Sequence, residues 1–206
     1  MKLRPICVFL GGIAAGIAGA WLVLSYKNST GLFVGDTGSG KPRPAHWARK
    51  IERPPLRNFH QVAPGLYRGA QPDAAGFREL EKMGVRTVVN LRLTGSDRDE
   101  IKGTALAYEH IAVEAWDLDE DEVVRFLRIA RDPARAPLFV HCSHGADRTG
   151  AMCAVYRVVV QGWSRDDAID EMAHGGFGYH VMWDDLLDYI RGLDVEKLRR
   201  LSAPQP

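Results

Sequence analysis

Cysteine is scarce, with Cys7, Cys142 and Cys153 the only three in 206 residues. Because Cys7 sits in an N-terminal apolar run, two remain for the folded part, which excludes a disulfide framework. Neither a Cys-x2-Cys nor a His-x3-His spacing accompanies them, so the sequence offers no metal-ligand set and implies no cofactor. An excess of one charge is also missing. The 27 Lys and Arg nearly cancel 26 Asp and Glu, which argues against a nucleic-acid partner. The length fits one domain with an appendage.

Long hydrophobic runs are absent too, except for one at the start. Lys2 and Arg4 precede Ile6 to Leu24, an uncharged apolar stretch of nineteen residues. That length suits one bilayer crossing. Ala18-Gly19-Ala20 has the small-x-small form of a signal-peptidase site, but Trp21-Leu22-Val23-Leu24 continues the run beyond it, which favours a retained anchor. In either case Lys2 and Arg4 hold the N-terminus in the cytoplasm. The expected location is therefore the inner (cell) membrane, single-pass, with the domain on the periplasmic, extracytoplasmic side. Residues 28–57 carry Gly31, Gly35, Gly38 and Gly40, then Pro42, Pro44, Pro54 and Pro55, and read as a flexible linker. The expected organisation is a membrane anchor or signal segment over 1–27, a linker over 28–57 and a domain over 58–202.

Within the domain, periodicity and punctuation predict alternating strands and helices. Asn58 to Arg68 supplies an edge strand or two around Pro64-Gly65. Asp73 reads as the N-cap of a helix with Phe77, Leu80 and Met83 on one face, stopped at Gly84. Val85 to Arg92 is a buried strand, Thr94 to Lys102 a polar loop, and Tyr108 to Val113 the next strand. Asp119-Glu120-Asp121-Glu122 opens a helix, with acids placed to suit its dipole. Ser164-Arg165-Asp166-Asp167 caps another, and helices near 181–191 and 194–201 finish the chain. Strands separated by helices imply an α/β fold with a central, mostly parallel sheet covered on both faces.

The residues between Val140 and Ala151 carry the chemistry. Pro137-Leu138-Phe139-Val140 has the look of a short buried strand, and Ala151 to Arg157 that of a buried helix. Between them lie His141-Cys142-Ser143-His144-Gly145-Ala146-Asp147-Arg148-Thr149-Gly150. A loop at that junction aims successive N–H groups inward beside the positive end of a helix dipole. Arg148 adds a planar, two-pronged contact for two phosphate oxygens. The same field favours thiolate over thiol at Cys142, which makes it nucleophilic.

His-Cys-x-x-Gly-x-x-Arg-Thr-Gly resembles the signature of the cysteine-dependent phosphatases, in their tyrosine and dual-specificity branch. Leu66-Tyr67-Arg68-Gly69-Ala70-Gln71-Pro72 and Val88-Val89-Asn90-Leu91-Arg92 are similar to the atypical bacterial, fungal and plant members. Tyr156 to Trp163 and Glu171 to Gly178 are closer still to exported bacterial tyrosine phosphatases. The resemblance covers about residues 58–192 and implies a phosphatase fold and hydrolysis of phosphomonoesters. It implies Cys142 as nucleophile, Arg148 with the amides of Ser143, His144, Gly145, Ala146 and Asp147 as oxyanion cradle, and the Thr149 hydroxyl as hydrogen-bond donor to the sulfur. His141 orders the loop through backbone hydrogen bonds. No metal is required, since Arg148 and the amides neutralise the phosphate.

A general acid comes, in that family, from a loop that follows a strand and precedes a helix. Here that window is Glu114 to Asp121. Asp117 is the choice, because it precedes the helix start and Trp116 can exclude water beside it; Asp119 is the alternative, with an N-cap role competing. Cys153 has two readings, a resolving thiol for oxidised Cys142 and a small core residue. Substrate choice rests on charge. None of Ser143 to Asp147 is basic, which favours a singly phosphorylated partner, a phosphotyrosyl and more widely a phosphoseryl or phosphothreonyl protein. Arg68 and Arg92 could add charge from neighbouring loops, so an inositol-polyphosphate or other small-molecule phosphatase is the alternative. A phosphate-binding pseudophosphatase module is the third reading.

Overall fold

The computed structural model describes residues 43–114, 117–182 and 184–203. The expected membrane segment, 1–27, lies outside the described residues. Among those described, no helix is long and apolar enough to cross a membrane.

The centre is a run of five residues, Leu138–Cys142 (β6), every one of them buried. Apolar side chains on both faces, without alternation, mark an interior parallel strand. Around it stand β1 (Arg49–Lys50), β2 (His60–Ala63), β3 (Leu66–Ala70), β4 (Thr87–Asn90) and β5 (Ala107–His110). Together they form one sheet in the order β1-β2-β3-β6-β4-β5. The pairs from β3 through β5 are parallel, whereas β1-β2 and β2-β3 are antiparallel. The sheet is thus mixed, with a parallel heart. The stretch expected to give edge strands instead supplies β3 beside β6, because Leu66, Arg68, Gly69 and Ala70 are all buried.

Helices cover both faces unequally. One face is covered by α1 (Ala74–Lys82), whose Phe77 and Leu80 join Phe59, Val88 and Phe139 in a small cluster. Burying each such side chain contributes about 1.5–3 kcal/mol. The Asp73 carboxylate caps α1 by accepting the Gly76 N–H at 2.8 Å. The other face is covered by α2 (Glu120–Arg131), α3 (Asp147–Val159), α4 (Arg165–His174), α5 (Asp184–Arg191) and α6 (Val195–Leu201). They share the large cluster with Leu66, Val89, Val140 and Cys142. Adjacent residues such as Val88 and Val89 therefore serve opposite cores, as the alternation of a strand requires.

The linker expectation fails over residues 43–57. Trp47 and Ala48 are buried, and β1 pairs with β2. The Arg43 guanidinium donates to the carbonyls of Ala48 (2.6 Å) and Gly175 (3.1 Å). Ala48 donates its N–H to Glu171 Oε1 at 2.5 Å. Proline and glycine density signals irregular backbone, and these residues are largely irregular. What holds them is tertiary: a buried carboxylate and aromatic contacts distant in sequence.

Candidate active site

Cys142 ends β6 directly opposite Ala70 of β3, and it is 2 % exposed. Five residues later α3 begins at Asp147, so the positive end of its dipole borders the loop. Arg148 stands in the first turn of α3, half-buried, with Nη1 3.5 Å from the Val113 carbonyl. That contact ties it to the chain segment leading into the acidic loop.

The loop's backbone is held by one face only. The carbonyl of Cys142 faces His141 Nδ1 (3.1 Å), and that of Ser143 accepts from Gln71 N (3.2 Å). His144 O accepts from Asn58 Nδ2 (2.9 Å), and Gly145 O from Arg68 Nη2 (2.7 Å). Ala146 O accepts from Arg68 Nη2 (3.2 Å) and from Gly150 N (2.7 Å). Five consecutive carbonyls are thus turned to the scaffold. In a planar trans peptide the next N–H points the other way, so the amides of Ser143 to Asp147 are turned away from it. Such a row of N–H groups at a helix N-terminus is an oxyanion site.

Gly145 makes this path possible. Its φ is +72°, and an added Cβ would lie 2.3 Å from the Gly69 carbonyl carbon and oxygen. Only glycine meets both conditions. Asn58 also has a positive φ, 51°, a conformation asparagine tolerates better than most residues. From there its amide bridges His144 O and Phe177 O, each at 2.9 Å.

Thr149 is fully buried, and its hydroxyl has no hydrogen-bond partner among the described residues, the Cys142 sulfur included. Asp147 accepts from the His180 N–H (2.9 Å) and lies 2.8 Å from His180 Nδ1, which anchors the 178–182 segment beside the loop. The His144 and His180 rings are 6.1 Å apart between centroids. Behind the loop, fully buried His141 places Nε2 3.0 Å from Asp97 Oδ2, out of hydrogen-bonding alignment. Asp97 in turn takes Arg92 Nη2 at 2.6 Å.

Of the two acid candidates, Asp119 is the N-cap residue of α2, and its N–H donates to Glu122 Oε2 at 3.2 Å. Asp117 lies outside the helix and is exposed; Trp116, the expected shield, lies outside the described residues. The loop is electronegative. Burial raises the Glu122 carboxyl above its ordinary range, and the nearby charges of Asp119, Asp117 and Glu114 push the same way. Cys153 is fully packed within α3, and burial pushes its thiol up, which suits a core residue better than a reactive one.

A family model described as DSP-PTPase phosphatase fused to NAD+ kinase matches residues 57–182. Dual specificity protein phosphatases TpbA from two strains of Pseudomonas aeruginosa are 37% and 34% identical over 190 residues, 89% of this chain and 86% of theirs. The chain belongs to the dual specificity phosphatase family. A crystal structure of TpbA in complex with pTyr superposes with a TM-score of 0.70 at 35% identity, covering 80% of this chain and 100% of that one. More distantly, an inositol diphosphatase of Arabidopsis thaliana, DSP3, is 24% identical over 155 residues, 71% of this chain and 74% of that one.

For this dual specificity phosphatase the sequence located the loop but not its supports. Arg68 and Arg92, weighed as charges added from neighbouring loops, are both held from within the fold. Arg68 is 1 % exposed beneath the loop, and Arg92 is committed to fully buried Asp97. The roles of Asn58, Gln71, Asp97 and His180 were missed, because each depends on a partner far along the chain. Asn58 alone left a local trace, a polar αL-tolerant residue just before a strand.

Proposed function

We propose that this phosphatase hydrolyses phosphotyrosyl proteins, and more widely phosphoseryl and phosphothreonyl proteins, through a phosphocysteine at Cys142. The carrying observation is the row of five carbonyls fixed to the scaffold. It leaves the amides of Ser143, His144, Gly145, Ala146 and Asp147, with the Arg148 guanidinium, for the three non-bridging phosphate oxygens. The Cys142 thiolate attacks phosphorus in line with the ester oxygen. As that bond breaks, Asp117 gives its proton to the leaving oxygen. Water then attacks the phosphocysteine, with Asp117 as base, and releases orthophosphate and thiolate. The Thr149 hydroxyl, buried and unengaged, is available to stabilise the departing sulfur. Every charge that the reaction develops meets a group of the chain itself.

Three observations support a phosphotyrosyl substrate. The loop residues 143–147 include no Lys or Arg and do include Asp147, a poor match for several clustered phosphates. Val181 and Met182, 44 % and 58 % exposed, follow loop-anchored His180 and offer apolar surface to an aromatic ring. A relative at 35% identity has been crystallised with pTyr. The N-terminal apolar run supports the further reading that the enzyme is membrane-anchored and works outside the cytoplasm.

The test is a substrate panel of phosphotyrosyl peptides, phosphoseryl peptides and inositol phosphates, run with the Cys142→Ser variant. The variant should hydrolyse none of them and still bind the phosphotyrosyl peptide. Turnover by Cys142→Ser would sink the mechanism, and a preference for inositol phosphates would sink the substrate assignment.

A further inference from the structure

Arg68 is the most completely buried arginine among the described residues, at 1 % exposure. The other deeply buried guanidinium, Arg157, is matched by Glu171 at 2.6 Å. Arg92, nearer the surface, is matched by Asp97. Arg68 has no carboxylate partner among the described residues. Its Nη2 serves the carbonyls of Gly145 and Ala146, its Nε is buried without a partner, and its guanidinium carbon lies 3.8 Å from the centre of the Phe177 ring. A buried charge left without a countercharge is costly, and neutralisation is not open to an arginine.

The missing countercharge is close by. Arg68 pairs with Val140 in the β3-β6 register and Ala70 with Cys142, so Arg68 and Cys142 project from the same face of the sheet. The guanidinium reaches under the first turn of α3, where a Cβ built on Gly150 would stand 3.6 Å from Nη2.

We propose that Arg68 is a positioning residue with two linked effects: it fixes two loop carbonyls away from the pocket, and its unpaired charge is the counter-cation of the Cys142 thiolate and of the bound phosphate. The inference rests on the proposed phosphatase chemistry, and it accounts for a cation buried where no acid meets it. Arg148 grips phosphate from the pocket side, whereas Arg68 acts from behind the loop and touches no substrate.

The test compares the full-length enzyme with Arg68→Gln, which keeps a donor without the charge, and Arg68→Lys, which keeps both. Alkylation of Cys142 by iodoacetamide is followed against pH, and inhibition by inorganic phosphate is measured beside it. In Arg68→Gln the alkylation profile should move up by on the order of one pH unit and phosphate inhibition weaken about tenfold; Arg68→Lys should stay near wild type. A folded Arg68→Gln whose profile superimposes on wild type overturns the proposal. If Arg68→Gln does not fold, Arg68→Lys decides alone, since a shifted profile in a variant that keeps the charge overturns it equally. Alkylation needs no turnover, so an inactive wild type would defeat the phosphatase chemistry without deciding this point.

Discussion

At the scale of single residues, the loop places strict and unequal demands. Gly145 has a left-handed φ and a backbone wall 2.3 Å from any Cβ. Gly145→Ala should therefore cost several kcal/mol and abolish phosphate binding, read by thermal melting with and without phosphate. The loop that carries Cys142, Arg148 and Thr149 was legible in the sequence, because strand, loop and helix signals bracket it within ten residues. The acid was only half legible, since five carboxylates crowd the 114–121 window and chemistry alone does not rank them. Asp119 is the N-cap residue of α2, whereas Asp117, the proposed acid, is exposed ahead of the helix. Asp117→Asn should lower kcat by about 10²–10⁴-fold on poor leaving groups and much less on nitrophenyl phosphate. Should Asp119→Asn show that pattern instead, the assignment is wrong.

Elements were legible where capping and periodicity are local. Asp73 before α1, Ser164 before α4 and the acids opening α2 announce themselves within four residues of sequence. Interior position is not local. The stretch from Asn58 to Arg68 reads as edge, yet Arg68 is buried beneath the loop that it supports. The 43–57 segment misleads for the opposite reason: its prolines describe its backbone well and its docking not at all. That docking converges on Glu171, which meets Arg157 through both carboxylate oxygens (2.6 and 2.7 Å) and also accepts from Ala48 N. Glu171→Ala would leave Arg157 buried and unpaired, at a cost of about 3–5 kcal/mol. In a domain of this size that lowers Tm by on the order of 10 °C, which calorimetry would read; a shift near zero would mean the pair is solvated in solution.

For the whole molecule, stability should depend on acid through His60. Burial holds its imidazole well below the ordinary value of 6.5, at about 4, with Arg68 and other cations nearby adding to the effect. The native state keeps it neutral while the unfolded chain protonates it, so the unfolded state binds more protons between those values. Stability from this group is complete above pH 6.5 and is lost as pH falls towards 4, by up to about 3 kcal/mol. Urea titrations across that range should show the loss in wild type and a shallower slope in His60→Gln. The proposed membrane attachment belongs to this scale too. A reporter fused after residue 206 should be active only outside the cytoplasm, and cytoplasmic activity would overturn the export reading.

An open sheet ends in two rows of unpaired backbone groups, each a template for a neighbouring molecule. At one side that row belongs to β1, two residues long, both charged and exposed. At the other it belongs to β5, where Glu109 is ion-paired with Arg125 and Arg135. Short and charged borders discourage strand-to-strand aggregation. A chain begun at Asn58 would lose β1 and bare β2, whose His60, Val62 and Ala63 are buried in the intact fold. Such a chain should scatter light and elute as large species at concentrations where one that keeps residues 43–57 remains dispersed. The docked segment thus acts as a selvedge for the sheet, keeping an otherwise adhesive border from fraying into its neighbours.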